Sequence, residues 1–341
     1  MQKSEHQIRK DDHIQINLQQ DIKSRQTNGF EHFHFQHVAL PEFDFCDIDT
    51  CQILFGKTLA LPFLISSMTG GVEKAEKINR NLAKVAQAHG IAMGVGSQRA
   101  MLEDTTLVES FNMRKYAPDI LLFANIGAVQ LNYGVSIKDL KHLVSSIDAD
   151  ALILHLNSLQ EVFQPEGQLN FANLLPKIED AIAQIDVPVI VKEVGWGISG
   201  KLAKQLEDIG VAAVDVAGAG GTSWSQIEKY RSEDVVRISA AEAFRDWGIP
   251  TAQCIQDVAN KTKTLKVFAS GGLSTGVEVA KSIALGADLC GFAGRVLRAA
   301  AISENEVHSV INRLAMELKI SMFGVGAKSL DELSQAELYN Q

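Results

Sequence analysis

Eight short apolar segments recur along the chain, nearly all closed by glycine, serine, asparagine or a polar cluster: Leu61–Ser67, Ile91–Gly96, Ile120–Ile126, Ala151–His155, Val187–Glu193, Ala212–Ala217, Lys266–Ser270 and Leu289–Ala293. Runs of this length between polar boundaries read as buried strands. Amphipathic stretches lie between them, at Glu73–His89, Ser136–Ile147, Leu174–Ile185, Gly200–Ile209 and Gly276–Leu285. Near-continuous apolar strands covered by helices indicate a parallel sheet buried on both faces. Eight βα units of this kind close into an α/β fold, a (β/α)8 TIM barrel. The competitor is an open doubly wound sheet, which has fewer strands and a glycine fingerprint near its start; that fingerprint is absent here.

The expected organisation is one domain over residues 1–341: an N-terminal extension over 1–60, a barrel over about 61–300 and a C-terminal helical tail over 301–341, broken at Gly324 and Gly326. The extension contains the aromatic and histidine-rich run GFEHFHFQHVALPEFDF, expected to be extended and to cover the barrel's N-terminal end. Residues 219–262 make the sixth unit long, as a lid at a catalytic face would be.

Composition narrows the function classes. With 46% hydrophobic and 21% charged residues the chain is an ordinary globular protein. A net charge of -9 excludes a general nucleic-acid binder, which needs a basic face, but leaves room for a local basic pocket. The start, MQKSEHQIRKDDH, is too polar for a signal peptide, and no apolar run approaches the roughly 20 residues of a membrane helix. A cytoplasmic protein with no membrane partner is expected. Cys46, Cys51, Cys254 and Cys290 lack zinc spacing; Cys46 and Cys51 could pair, but free buried thiols in a reducing compartment are the favoured reading.

Parallel barrels place their chemistry at the C-terminal ends of the strands. Ser270-Gly271-Gly272 follows the seventh segment and Gly291-Phe-Ala293-Gly294-Arg295 the eighth, where such barrels bind phosphate on backbone N–H groups. The bland alternative is that these glycines only turn the chain. A second set suits a flavin: Ser66-Ser67-Met68-Thr69-Gly70-Gly71, Gly94-Val-Gly96-Ser97, Asn125, Lys192 and Thr222. Small residues leave room for a flat ring, hydroxyls and amides meet its edge, and a lysine can offset charge at flavin N1. The alternative for Lys192 is an ion pair with Glu193 or another carboxylate. A third set, Arg9-Lys10 and Arg99, suits a second phosphate group through the bidentate guanidinium fork. For Arg9-Lys10, with His13 close behind, a solvated tail is the alternative. The fourth is the run His155-Leu-Asn157-Ser-Leu-Gln160-Glu161, which packs an imidazole, two amides and a carboxylate into one strand end. Glu161 can hold Mg²⁺ through waters, or merely cap the helix that follows or pair with a lysine. No triad of His, Cys or Asp suggests zinc.

These residues together resemble the type 2 isopentenyl-diphosphate Δ-isomerases. The resemblance covers essentially the whole chain through Arg9-Lys10-Asp-Asp-His13, Ser67-Met-Thr-Gly-Gly71, Gly96-Ser-Gln-Arg99, Ala124-Asn-Ile-Gly127, the His155–Glu161 run, Val191-Lys-Glu-Val-Gly195, Gly220-Gly-Thr-Ser-Trp224 and Ala269-Ser-Gly-Gly272. The run at 155–161 is the most specific. The resemblance implies FMN, Mg²⁺, NAD(P)H as reductant, a prenyl diphosphate substrate and a homo-oligomer, tetramer or octamer. It implies that Ser67, Met68, Thr69, Ser97, Asn125, Lys192, Thr222, Gly271, Gly272, Ala293 and Gly294 contact FMN. Arg9, Lys10, Ser97, Gln98, Arg99, His155, Asn157 and Gln160 would hold the substrate and Glu161 the metal, with His155, Gln160 and Lys192 as catalytic residues. After Gly272 this chain has Leu-Ser-Thr where relatives often carry an arginine.

The implied chemistry is demanding. Shifting an unactivated double bond needs a proton added at one carbon and removed at another, by way of a tertiary cation. No side chain in the set is an obvious strong acid, so reduced flavin would fill that role beside Lys192. A rival reading is an FMN-dependent 2-hydroxy-acid oxidase or dehydrogenase on the same barrel. Those enzymes use a histidine base with arginines near the seventh strand, and Ala269-Ser-Gly-Gly-Leu-Ser274 has neither. A non-catalytic flavin-binding protein is the third reading.

Overall fold

The computed structural model describes residues 5–340. All the expected apolar segments become strands of one closed parallel barrel: β1 (Phe63–Ile65), β2 (Ala92–Gly94), β3 (Leu122–Gly127), β4 (Ala151–His155), β5 (Val189–Lys192), β6 (Ala213–Asp215), β7 (Lys266–Ala269) and β8 (Leu289–Phe292). They run in sequence order, and β8 pairs back onto β1 through Cys290↔Phe63, Gly291↔Leu64 and Phe292↔Ile65. The expected helices are found at Glu73–His89, Ile137–Ser146, Leu174–Gln184, Gly200–Asp208 and Gly276–Ala284.

Side chains alternate across each strand, so one set points into the barrel and the other onto the helices. Leu64, Ala92, Phe123, Ala151, Ile153, Ile190, Ala213, Phe268 and Leu289 fill the interior as one apolar cluster. Their strand neighbours Phe63, Ile65, Leu152, Val191 and Val214 belong to the larger cluster beneath the helices. The hairpin Gln52–Leu54/Lys57–Leu59 adds Leu54 and Leu59 to the interior cluster and so closes the N-terminal end. Lys57, 3.5 Å from Asp150 just before β4, ties it there.

The extension departs from expectation in its local structure, not in where it brings Arg9 and Lys10. Its first part is a helix, Glu5–Gln19, at the opposite, C-terminal mouth of the barrel rather than an extended tail. The reason lies in the spacing of one face. Arg9, Lys10, His13, Ile14 and Asn17 stand three or four residues apart, share a side of the helix and line the mouth cavity, where Ile14 is 2% exposed. The aromatic run is extended only at Phe33–Phe35, which pairs antiparallel with Leu338–Asn340. That pairing also corrects the tail: it is helical at Glu304–Gly324 and Leu330–Ser334 but ends in a strand. Phe43 and Phe45 pack edge-on against Phe323, with centroids 5.4 and 5.6 Å apart. The cysteines are all free, as expected, but Cys46 and Cys51 are exposed rather than buried. The long sixth unit folds into three helices, Trp224–Arg231, Val235–Ala243 and Thr251–Lys261. No helix among the described residues is long and apolar enough to cross a membrane.

Candidate active site

Continuing the two-residue alternation of the interior positions to the strand ends builds the floor of the mouth. Leu64 leads to Ser66, Ala92 to Gly94, Phe123 to Asn125, Ile153 to His155, Ile190 to Lys192, Ala213 to Asp215, Phe268 to Ser270 and Leu289 to Gly291. An apolar layer is thus capped by six polar residues and two glycines, one from each barrel strand.

Asn125 orients His155. Its amide nitrogen donates to the Val95 carbonyl (3.1 Å), so its oxygen accepts from His155 Nδ1 (3.0 Å). That leaves Nε2 as a bare acceptor. Burial holds the imidazole neutral, down to about 3, and Lys10 and Lys192 add to the effect. Lys192 pairs with Asp215, 3.3 Å away, and donates to the Glu193 carbonyl (2.8 Å). The Glu193 carboxylate itself is taken by backbone N–H groups of Val194, Gly195 and Trp196 at 2.6–2.7 Å.

The run 155–161 forms one network. Asn157 Nδ2 donates to Glu161 Oε1 (2.8 Å) and Gln160 Oε1 (3.3 Å), and the Gln168 N–H donates to Glu161 Oε2 (2.7 Å). Gln160 Nε2 donates to Glu228 Oε1 (3.1 Å), which also meets His13 Nε2 at 3.0 Å; Arg231 donates to Oε2 at 2.7 Å. Burial alone would raise the Glu228 carboxyl, but the His13 hydrogen bond and the Arg231 charge hold it at about 2. Arg9, Lys10 and Arg99 line the same cavity, and Arg99 Nη1 donates to Gln168 Oε1 (3.2 Å) beside Glu161. Burial, then the charges of Arg9 and Arg99, push Lys10 down to about 8. Arg9 is lowered too, by burial first and then by Arg99. Cations crowded and desolvated in this way are stabilised by an anion placed among them.

A hard cation fits the network. Asn157 Oδ1 is buried without a hydrogen-bond partner among the described residues, and it stands in the amide group that bonds Glu161. A carboxylate with an adjoining amide oxygen is the oxygen donor set that Mg²⁺ takes.

A flavin phosphate fits the second cleft, which adjoins the first through Ser67, Lys192, Val194, Thr222, Ala293 and Gly294. Gly271 (φ +110°) and Gly272 (φ +80°) hold backbone conformations that side chains rarely adopt. A Cβ on Gly272 would lie 2.4 Å from the Gly220 carbonyl, and one on Gly271 2.2 Å from that of Gly218. Gly294 opens the helix Gly294–Ile302, whose first N–H groups suit an anion. The hydroxyls of Ser66, Ser67 and Thr69 are buried without partners among the described residues, which fits a polar ring edge between them. Arg295 and Arg298 bring cations to this cleft, where Leu273 and Ser274 bring none.

Every expected site residue lines one of these clefts except Gln98. Gln98 is fully buried away from them: its amide donates to the Leu143 carbonyl (3.1 Å) and its oxygen accepts the Asn125 N–H (2.9 Å). It braces β3 and does not reach the cavity. Sequence reasoning missed Glu228, Asp215 and Arg298, and quoted Trp224 and Arg295 only within longer motifs. Asp215 carried a signal, because it occupies the interior parity of its strand. Glu228 carried none, since Gln-Ile-Glu-Lys-Tyr-Arg reads as a solvated helix.

Three comparisons bear on this geometry. A family model described as FMN-dependent dehydrogenase matches residues 146–340. The chain is similar to the isopentenyl-diphosphate delta-isomerase of Rickettsia bellii (strain RML369-C), with 51% identity over 330 residues, 97% of this chain and 96% of that protein. It is 50% identical to the protein of that name from Rickettsia canadensis (strain McKiel), over the same shares of both chains. Among solved structures, a mandelate oxidase superposes with a TM-score of 0.67 at 17% identity, covering 96% of this chain and 94% of that one. A lactate oxidase of Pediococcus acidilactici superposes with 0.64 at 17% identity, covering 96% of this chain and 86% of that one. At such identities the likeness to the oxidases is one of fold.

Proposed function

The chain belongs to the isopentenyl-diphosphate delta-isomerases, on a barrel of the FMN-dependent dehydrogenase family, and from that premise we propose that it interconverts isopentenyl and dimethylallyl diphosphate using reduced FMN and Mg²⁺. The observation that carries this reading is the adjoining of two different anion sites in one mouth: a glycine cradle after β7 and β8, and the cations Arg9, Lys10 and Arg99.

When bound, reduced FMN supplies the proton donor and acceptor that the side chains lack, and Mg²⁺ neutralises the diphosphate. Arg9, Lys10 and Arg99 grip the diphosphate, with Ser97 beside them. Glu161 would hold the metal, with Asn157 Oδ1 as a further oxygen donor. His155 stays neutral, so it takes part as a hydrogen-bond acceptor through Nε2 and not as an acid. Gln160, fixed by Glu228, orients the substrate's reacting end. Ile14, Met68, Trp224 and Leu297 wall the cavity with apolar surface and exclude water from a cationic transition state. Lys192, its charge partnered by Asp215, would donate a hydrogen bond near flavin N1, while Ser67, Thr69, Asn125 and Thr222 would meet the ring edge and Gly271, Gly272, Ala293 and Gly294 would hold its phosphate. NAD(P)H serves as reductant with no net redox change in substrate, and the working form is a cytoplasmic homo-oligomer.

The test is anaerobic incubation of photoreduced holoenzyme with isopentenyl diphosphate and Mg²⁺. Dimethylallyl diphosphate is the expected product. A protein that retains FMN but leaves the substrate unchanged, or oxidises a 2-hydroxy acid instead, overturns the proposal.

A further inference from the structure

We propose that Asp215 is a positioning residue that cancels the charge of Lys192 and so sets how strongly the site prefers reduced over oxidised FMN. This rests on the FMN reading above.

The pair is built by register. Lys192 ends β5, Asp215 ends β6, and the two are Cα partners in the sheet. Asp215 is fully buried. A buried carboxylate persists only when it is paired and hydrogen-bonded. Ser270 Oγ, at the end of β7, donates to Asp215 Oδ1 at 2.5 Å, and the Ala217 N–H donates to the same oxygen at 3.3 Å. The other oxygen, Oδ2, has no hydrogen-bond partner among the described residues and lies 3.3 Å from Lys192 Nζ. The ammonium has three N–H donors. One goes to the Glu193 carbonyl at 2.8 Å and one faces Asp215, which leaves the third for the cavity that Lys192 lines.

Three adjacent strands therefore present a single N–H donor whose charge is already neutralised from behind. A lone ammonium would stabilise the electron-rich reduced ring much more than the oxidised one. A lysine–aspartate pair offers a hydrogen bond with little net field. A site in which the flavin works as acid and base, with no net redox change, has reason to leave that preference weak.

The readout is the ratio of dissociation constants for oxidised and reduced FMN, measured by fluorescence titration and checked against the midpoint potential of the bound flavin. Wild type should bind the two forms within about tenfold of one another. Asp215→Asn should shift the ratio toward the reduced form by at least tenfold, which is about 30 mV for a two-electron couple. In the neutral double variant Lys192→Met/Asp215→Asn the ratio should return to within about threefold of wild type. An unchanged ratio in Asp215→Asn, or the same shift with Lys192 removed, overturns the inference. Should Asp215→Asn fail to fold, a wild type that strongly prefers reduced FMN, or a double variant far from wild type, overturns it equally. A wild-type protein that binds no FMN would instead sink the reading on which the inference rests.

Discussion

The two anion-holding corners of the mouth are made of different materials. One is backbone: Gly271, Gly272 and Gly294 on rigid βα loops, with the carbonyls of Gly218 and Gly220 pressed against them. The other is side chain: Arg9 and Lys10 on the N-terminal helix, their charges crowded and partly desolvated, and Arg99 after β2. Backbone N–H groups bring no titration and little entropy to lose, so they suit a group that stays. Long side chains respond to charge and pH, so they suit a group that arrives and leaves. The difference supports the proposal that the cradle takes the cofactor and the cation cluster the substrate.

The comparison breaks most visibly at Gly271. A valine there combines a φ of +110° with a Cβ 2.2 Å from the Gly218 carbonyl. Strain of this kind costs about 3 kcal/mol, roughly a hundredfold in affinity. FMN titration of Gly271→Val should show that loss while its melting curve remains cooperative; retained affinity would mean the cradle is not the phosphate site. Glu161→Gln comes next. Removing a charged oxygen donor costs about 1.5–3 kcal/mol, so half-saturation by Mg²⁺ should rise about ten- to a hundredfold with FMN binding unchanged. Activity that saturates at wild-type Mg²⁺ would take Glu161 out of the metal site. Lys10→Met should raise KM for the diphosphate by about tenfold and again leave FMN alone. If FMN affinity falls instead, the two corners are not separate.

The smallest effect sharpens the contrast through pH. Lys10 is pushed down to about 8 by burial first, then by Arg9 and Arg99. Its cation is therefore present below that value and lost above it, and an anionic substrate binds the cation. KM should be flat below pH 8 and rise several-fold by pH 9, short of the tenfold per unit that one proton allows. Lys10→Arg, which stays charged, should abolish the rise, whereas FMN affinity should be level over the same range in both proteins.

Much of this was legible from the chain alone, for physical reasons that differ by element. The strands of the barrel could be read because each is an apolar run buried on both faces, and Ala151–His155 was recovered to the residue. The helix Glu73–His89 was recovered for a related reason: its period is strong and Gly90, at φ +59°, stops it. The network at 155–161 was visible because its members are neighbours in sequence. Glu228 was not, because His13 and Gln160 reach it from two distant stretches of chain and only Arg231 shares its helix. The N-terminal helix was not read as a helix because its polar face reads as a solvated tail until the mouth is there to receive it. Gln98 was assigned to substrate because it lies between Ser97 and Arg99, yet neighbours in a turn face different ways.

The stretch between Gln19 and Phe30 leaves the N-terminal helix and crosses the cradle. Lys23 bridges to Thr222, the Ser24 N–H reaches the Gly221 carbonyl, and Asn28 bonds the Gly272 carbonyl. Gly220 lacks a side chain just where that strap presses closest, 2.4 Å from where its Cβ would be. The corner that holds and the corner that grips are thus two stations on one length of polypeptide. A deformation of the cradle therefore has a covalent route to Arg9 and Lys10 that does not cross the open cavity between them.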